Sequence, residues 1–362
     1  MENARRMENA PIVRTKEELL ARAGAGALRG VTIQSVDASG LVLRGADLTG
    51  AVFEGCSLRG VDLRGASLVR ARLDGTAFDG AHLGKADFFE ASLRETTWAG
   101  ARLTDADLTG ADLSSAQLAT ATFDGAYMID VDLTGAKLAG ADLTRARLRT
   151  KKVAGADLAG CKLLVADLTG VDLTKVTLKG ASFVQTLLVN AQAKGVDFTD
   201  CVLERASFEG ADLERARLPG LSAKQLRLRS AKLVQASLAR IVMPLCDARG
   251  ANLDGADLQE AILDSSHFDG ATLRKANLRS ASLRGARMVS VDLTGSVLSK
   301  VDFTHADLSS ANLEGAALVD TNFERANLHK TRFSNTDGSG AKMKGAKKTD
   351  VTRAKAEEFR GE

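Results

Sequence analysis

Residues 139–148 read AGADLTRARL. Ala141 is small, Asp142 polar, Leu143 large and apolar, and Thr144 and Arg145 are polar; Ala146, Arg147 and Leu148 then begin the same series again. With the large position set at Ile33, Leu43, Leu48, Phe53 and Leu58, this count of five runs from Val31 to Asn335 without an insertion or deletion. It makes 61 consecutive units, with Leu at the large position in 40, Phe in 11 and Trp in one. Two residues earlier, Ala stands in 36 units and Val, Cys, Thr or Ser in 20 more. Of 34 glycines, 29 fall two places after the large residue. Regularity on this scale governs the whole fold and has to be read before any local propensity.

A period of five fits neither the 3.6-residue helix nor the two-residue strand. It fits a square coil in which each side is one short extended piece and one turn. The small and large residues point inward, and the other three positions point outward. Four such sides close one coil, and glycine at the corner suits a turn that needs positive φ. This predicts an all-β parallel β-helix of about 15 coils, roughly 70 Å long at the spacing between strands.

The stretches GADLTG at 45–50, ADLTGADLSSAQL at 106–118 and ANLEGAALV at 311–319 resemble the pentapeptide-repeat family, whose unit is A(D/N)LXX. The resemblance extends over the whole periodic run, from Val31 to Asn335, which is most of the chain. It implies a right-handed quadrilateral β-helix and is far less specific for function. The organisation expected is a leader and N-terminal capping helix over 1–30, repeats over 31–335, and decaying repeats with a basic tail over 336–362.

MENA occurs at 1–4 and again at 7–10, which suggests a disordered leader, with Met1 or Met7 as the start. Thr15-Lys16-Glu17-Glu18 has the form of a capping box. It predicts a helix over Lys16–Ala23, with Leu19 and Leu20, lying on the first coil to cover an end that would otherwise expose core and strand edge. This helix-then-repeat lead-in is similar to pentapeptide-repeat proteins associated with bacterial type VI secretion clusters. At the other end, Thr352–Arg360 is expected to form a short polar helix that tucks Phe359 on the last coil. The basic residues Lys342, Lys344, Lys347, Lys348, Arg353 and Lys355 read as a solvated tail, with weak contact to nucleic acid or a membrane surface as the alternative.

Lys151 takes an inward position, and a bare lysine is too costly to bury, so a local bulge is expected there. Two further irregular stretches are expected, at 186–193 and 219–248. In the second, Leu221 beside Ala223 keeps the core volume constant. Phe78 and Trp98 are separated by one full coil, as are Phe303 and Phe323, so each pair should stack. Asp132, Lys152 and Asp172 should form an alternating ladder, and Asp142 should face Lys162.

No candidate for catalysis emerges. No two of His82, His267, His305 and His329 are one coil apart, no phosphate-cradling loop or nucleophile motif occurs, and the aspartates recur only because the unit recurs. Cys56, Cys161, Cys201 and Cys246 all occupy the small inward position and read as core filler. No cofactor and no metal are expected, and the chain reads as a non-enzymatic rod. There is neither an apolar run long enough to span a membrane nor a signal core, so cytoplasmic residence is the default.

The family resemblance also implies an alternative, since some members bind DNA gyrase by imitating the acidic rod of duplex DNA and so protect against toxins or quinolones. That needs a continuous acidic face. Here the four sides carry formal charges of about 0, −1, +2 and −2. The feature above background is apolar. Leu164, Val165, Val184, Val202, Val242, Leu245 and Ile262 are outward positions on one side, and contiguous exposed apolar surface marks a binding site. A protein partner or a second copy is expected to dock there. Phe89, Tyr127 and Ile129 form a smaller group on a neighbouring side.

Overall fold

A computed structural model describes residues 11–349; the MENA leader and the helix expected around Phe359 lie outside the described residues. The chain divides into two compact units, Met1–Thr186 and Leu187–Glu362. Each is a right-handed quadrilateral β-helix, and the same five-residue pattern of one bridging residue and one turn recurs through both.

The turn follows from one hydrogen bond. The carbonyl of most large residues accepts from the N–H three residues on, as from Ala46 to Leu43 at 3.2 Å. Gly45, the third residue of that turn, has φ 65°. Positive φ at this place is the requirement of a type II turn and is least costly for glycine. The conformation belongs to the position, however: 33 non-glycine residues adopt it too, Val165 at 58° and Leu245 at 60° among them. Consecutive coils then pair through parallel bridges between equivalent positions, such as Asp62 to His82 in the first unit and Val242 to Ile262 in the second.

Small and large residues fill the interior as expected. Phe78 and Trp98 stack with ring centres 4.3 Å apart and planes 13° apart, with Phe88 edge-on to both. Phe303 and Phe323 stack at 5.3 Å. All four cysteines are free and buried. Burial pushes the Cys161 and Cys246 thiols up to about 12.

At the N-terminal end, α1 (Lys16–Gly24) begins at Thr15, whose side chain accepts from the Glu18 N–H at 3.1 Å. Glu18 reaches back one residue further than a capping box requires, accepting from the Arg14 N–H at 3.3 Å. Leu19 is fully buried, whereas Leu20 is exposed. Before the helix, β1 (Ile12–Val13) pairs in parallel with β2 (Thr32–Gln34), which pairs with β3 (Val52–Glu54). The lead-in therefore continues the ladder through β1 and adds a helix.

The bulge at Lys151 is present. Lys151 is exposed, and Thr150 turns inward in its place, donating from Oγ1 to the Val131 carbonyl at 2.7 Å. Leu148 and Val153 keep their side chains in the core, but their N–H groups make no hydrogen bond among the described residues, unlike those of Leu143 and Leu158. The other two stretches expected to be irregular are not. Residues 186–193 and 219–248 keep the turn pattern, with Leu221, Ala223, Leu226, Ile241, Met243 and Ala248 all buried. Exchanging volume between the two inward positions leaves the backbone unchanged there, because only their sum has to fit.

Candidate partner-binding surface

The outward residue before each large position is commonly Asp or Asn, and its role is local. Asp47, Asp142 and Asp197 each accept from the N–H two residues on, at 2.9–3.0 Å. Asp and Asn have side chains short enough to reach their own backbone in this way. Hydrogen bonds from Thr49 hold the Asp47 carboxyl below the usual carboxylate range, and Thr199 does the same for Asp197. The ladder expected of these residues is corrected accordingly. Asp142 and Lys162 form no ion pair among the described residues, and Lys152 only reaches Asp132 at 4.0 Å, while Asp172 accepts from Thr174. The carboxylates are taken by their own backbone before a lysine one coil away can claim them.

Arginine forms most of the ion pairs instead. Arg59 meets Asp79 at 3.2 Å, Arg94 meets Asp74 at 2.8 Å, Arg274 meets Asp292 at 2.6 Å and Arg44 and Arg64 converge on Asp62. The two arginines hold the Asp62 carboxyl far below its ordinary value, chiefly through the hydrogen bonds from Arg64, against the opposing effect of desolvation. Exposed pairs of this kind contribute little stability each. Their electrostatic result is larger, since acidic groups in both units stand beside guanidinium groups and the surface alternates in sign.

Against this background the apolar positions stand out. In the first unit, Leu164 and Val165 are 41% and 49% exposed, and the Val165 N–H donates to the Val184 carbonyl at 3.0 Å in the next coil. Val184 is half-buried. In the second unit, Val242 bridges to Ile262, and Leu245 lies at the corner of the Val242 side. Leu245 and Ile262 are 48% and 41% exposed, and Val242 is half-buried. Val202, 42% exposed, precedes Val242 by two coils, with Ser222, Lys224 and Gln225 on the coil between. The structure thus gathers Leu164, Val165 and Val184 into one group and Val242, Leu245 and Ile262 into another.

Val165 is unusual in its backbone as well. A β-branched residue at φ 58° is a steric outlier. Sequence reading could place Val165 at a corner whose turn needs positive φ; the structure shows that valine adopts it, at 58°. Five exposed apolar residues escaped that reading: Ile12, Val42, Leu187, Val297 and Met343. Of the smaller group, Tyr127 is exposed and carries the Arg147 guanidinium 4.5 Å over its ring, while Phe89 and Ile129 are half-buried. Among the described residues no group of three His, Cys, Asp or Glu could hold a metal ion, and no helix is long and apolar enough to cross a membrane.

The family model described as Pentapeptide repeats (8 copies) matches residues 28–65, 46–84, 86–125, 111–149, 154–188, 181–220, 225–264, 251–289, 286–325 and 318–347. No curated protein matches the chain. Solved structures similar to it include a pentapeptide repeat protein from the Arabidopsis thaliana thylakoid lumen, 34% identical over 30% of this chain and 74% of that one, with a TM-score of 0.28. HetL, a pentapeptide repeat protein involved in heterocyst differentiation regulation from the cyanobacterium Nostoc sp. strain PCC 7120, is 27% identical over 92% of this chain and 96% of its own, with a TM-score of 0.22. QnrB1, a plasmid-mediated fluoroquinolone resistance protein, is 18% identical over 68% of this chain and 93% of its own, with a TM-score of 0.22.

Proposed function

The chain belongs to the pentapeptide-repeat family, and from that premise we propose that it is a non-enzymatic protein-interaction scaffold whose apolar side docks a protein partner. The observation that carries this reading is the pair of groups, Leu164–Val165–Val184 and Val242–Leu245–Ile262, with Val202 between them in sequence. Each places large apolar side chains in water on coils whose other outward positions are mostly polar. Solvated apolar surface of this kind is stabilised when a partner covers it. Val165 adds a second argument: of the two β-branched residues at positive-φ corners, Thr120 and Val165, it is the apolar one, held where glycine would relieve strain, and retained strain points to a use for that side chain.

The setting that the lead-in helix suggests is a cytoplasmic multi-protein assembly in a bacterium, such as type VI secretion. The gyrase-binding alternative needs an uninterrupted acidic face. Arginines beside Asp62, Asp74, Asp79 and Asp292 interrupt it, which favours the scaffold.

The test is affinity capture from bacterial lysate with the native chain and a Val202→Glu/Leu245→Glu variant, followed by mass spectrometry. Both side chains face solvent, so the variant should keep its fold by circular dichroism. Assembly proteins lost only from the variant support the docking side. Gyrase or topoisomerase subunits retained by both proteins would overturn it in favour of the DNA-mimic reading.

A further inference from the structure

The two ends of the coil series differ. At the N-terminal end, α1 follows a paired strand and Val13, Leu19 and Leu28 are fully buried. At the other end, the last described coil, residues 331–349, leaves its inward side chains in solvent. Phe333 is half-exposed and Met343 is 41% exposed. With Leu328 and Thr331 they form the floor of a depression of about 300 Å³, and Lys348 and Thr349 stand at its rim. Lys348 occupies the position that Leu328 and Leu308 fill in the coils before it.

The ladder is open at the same place. One coil earlier, Leu313, Leu318 and Phe323 donate to the carbonyls of Arg332, Asp337 and Lys342, at 2.8–2.9 Å. On the last coil the corresponding N–H groups of Phe333, Gly338 and Met343 have no partner among the described residues, nor do the carbonyls of Thr331, Thr336 and Ala341. A row of donors and acceptors without partners among the described residues, above an apolar floor, is a template for another strand. The charge on this coil is one-sided. Arg332, Lys342, Lys344, Lys347 and Lys348 face a single carboxylate, Asp337, among the described residues of this coil. Arg332 and these lysines from Lys342 onward form no ion pair among the described residues, in contrast to the paired arginines of the earlier coils.

We propose that this end is a second docking surface, independent of the apolar side, for a protein segment that is extended, acidic and apolar at alternate residues. Its backbone continues the parallel ladder, its alternate apolar side chains cover Phe333 and Met343, and its carboxylates meet the lysines. Strand addition to an open edge draws affinity from main-chain bonds and specificity from alternate side chains. The charge excludes a second copy placed end on end, which would set five cations against five. The free backbone row distinguishes a protein segment from a nucleic acid, which has no such row to offer.

The probe is a fluorescein-labelled peptide of about twelve residues alternating glutamate and valine, titrated with the full chain and read by fluorescence anisotropy. Three comparators accompany it: the same peptide with alternate amides N-methylated, a single-stranded oligonucleotide of equal charge, and a Lys342→Glu/Lys344→Glu/Lys347→Glu protein checked for fold by circular dichroism. Saturable binding by the acidic strand is expected, weakened about tenfold or more both by the triple substitution and by N-methylation. The Val202→Glu/Leu245→Glu protein should bind the probe like the native chain, which separates this surface from the apolar side. The proposal is overturned by equal binding of the N-methylated peptide or the oligonucleotide, by equal binding to the triple variant, or by end-on-end dimers in sedimentation. Absence of binding by the full chain overturns it as well, because the end is then already covered.

Discussion

Thr76 and Thr96 occupy the same inward position in adjacent coils, and the same substitution at the two should have opposite effects. Both side chains are buried, at 1% and 0% exposure. The Thr96 hydroxyl accepts from the Trp98 indole N–H at 2.6 Å and donates to the Leu93 carbonyl at 2.5 Å. The Thr76 hydroxyl has no partner among the described residues. Valine has nearly the shape of threonine without the hydroxyl, so Thr76→Val removes a desolvated, unpaired group and should stabilise by about 1 kcal/mol. Thr96→Val strands the Trp98 N–H in the core and should cost about 1–3 kcal/mol. The two variants should therefore differ by about 2–4 kcal/mol. With a guanidinium slope of about 5 kcal/mol per M for a chain of this size, their unfolding midpoints should lie about 0.4–0.8 M apart, on opposite sides of the native protein. The chain has one tryptophan, and it sits between these two sites, so its fluorescence reports the local transition directly. Midpoints shifted in the same direction would falsify the hydroxyl accounting.

Val165→Gly should raise stability by up to about 1 kcal/mol, the left-handed strain of valine being partly offset by the entropy of glycine in the unfolded chain, while association through the apolar side weakens. Calorimetry and the capture assay together check that opposition. Thr150→Gly/Lys151→Ala should restore the regular coil and raise the melting temperature by a few degrees, with amide exchange slowing at Leu148 and Val153 as their N–H groups regain carbonyl partners. Asp47, Asp62 and Asp197 titrate lower in the folded chain than in the unfolded one. Their contribution to stability is accordingly complete above the ordinary carboxylate pKa near 4 and is lost as pH falls through their depressed folded values. Denaturation midpoints should be flat from about pH 5 to 7 and drop below about pH 4, and a rise on acidification would contradict the assignment. The Cys161 and Cys246 thiols should resist alkylation by iodoacetamide at pH 8 in the native protein and react fully in denaturant, as mass spectrometry would show.

The period of five determined most of this fold, because in a solenoid each local unit repeats the global geometry. A small residue and a large one, three places from the next pair, dictate which side chains face in, where the turn falls and which residues stack from coil to coil. Phe78 on Trp98 and the inward cysteines follow from counting alone. Lys151 could be read as a break because a buried bare charge is prohibitive wherever it occurs. The expectation of irregularity at 219–248 failed for a related reason: Leu221 and Ala223 change identities but not their combined volume, and the coil responds to volume.

Other features depended on relations between coils that no pattern of residue types contains. That Asp142 bonds its own backbone and leaves Lys162 without an ion pair among the described residues is decided by the reach of a short side chain in the folded turn. That Thr96 is satisfied and Thr76 is not depends on where the tryptophan N–H points. The apolar side could be drawn from sequence, but its gathering into Leu164–Val165–Val184 and Val242–Leu245–Ile262, with strain stored at Val165, came only with the coil's dihedral angles. The open edge above Phe333 and Met343 is also a tertiary property. Sequence specifies what each unit buries; whether a unit's hydrogen bonds and core are then covered depends on what lies next to it in space.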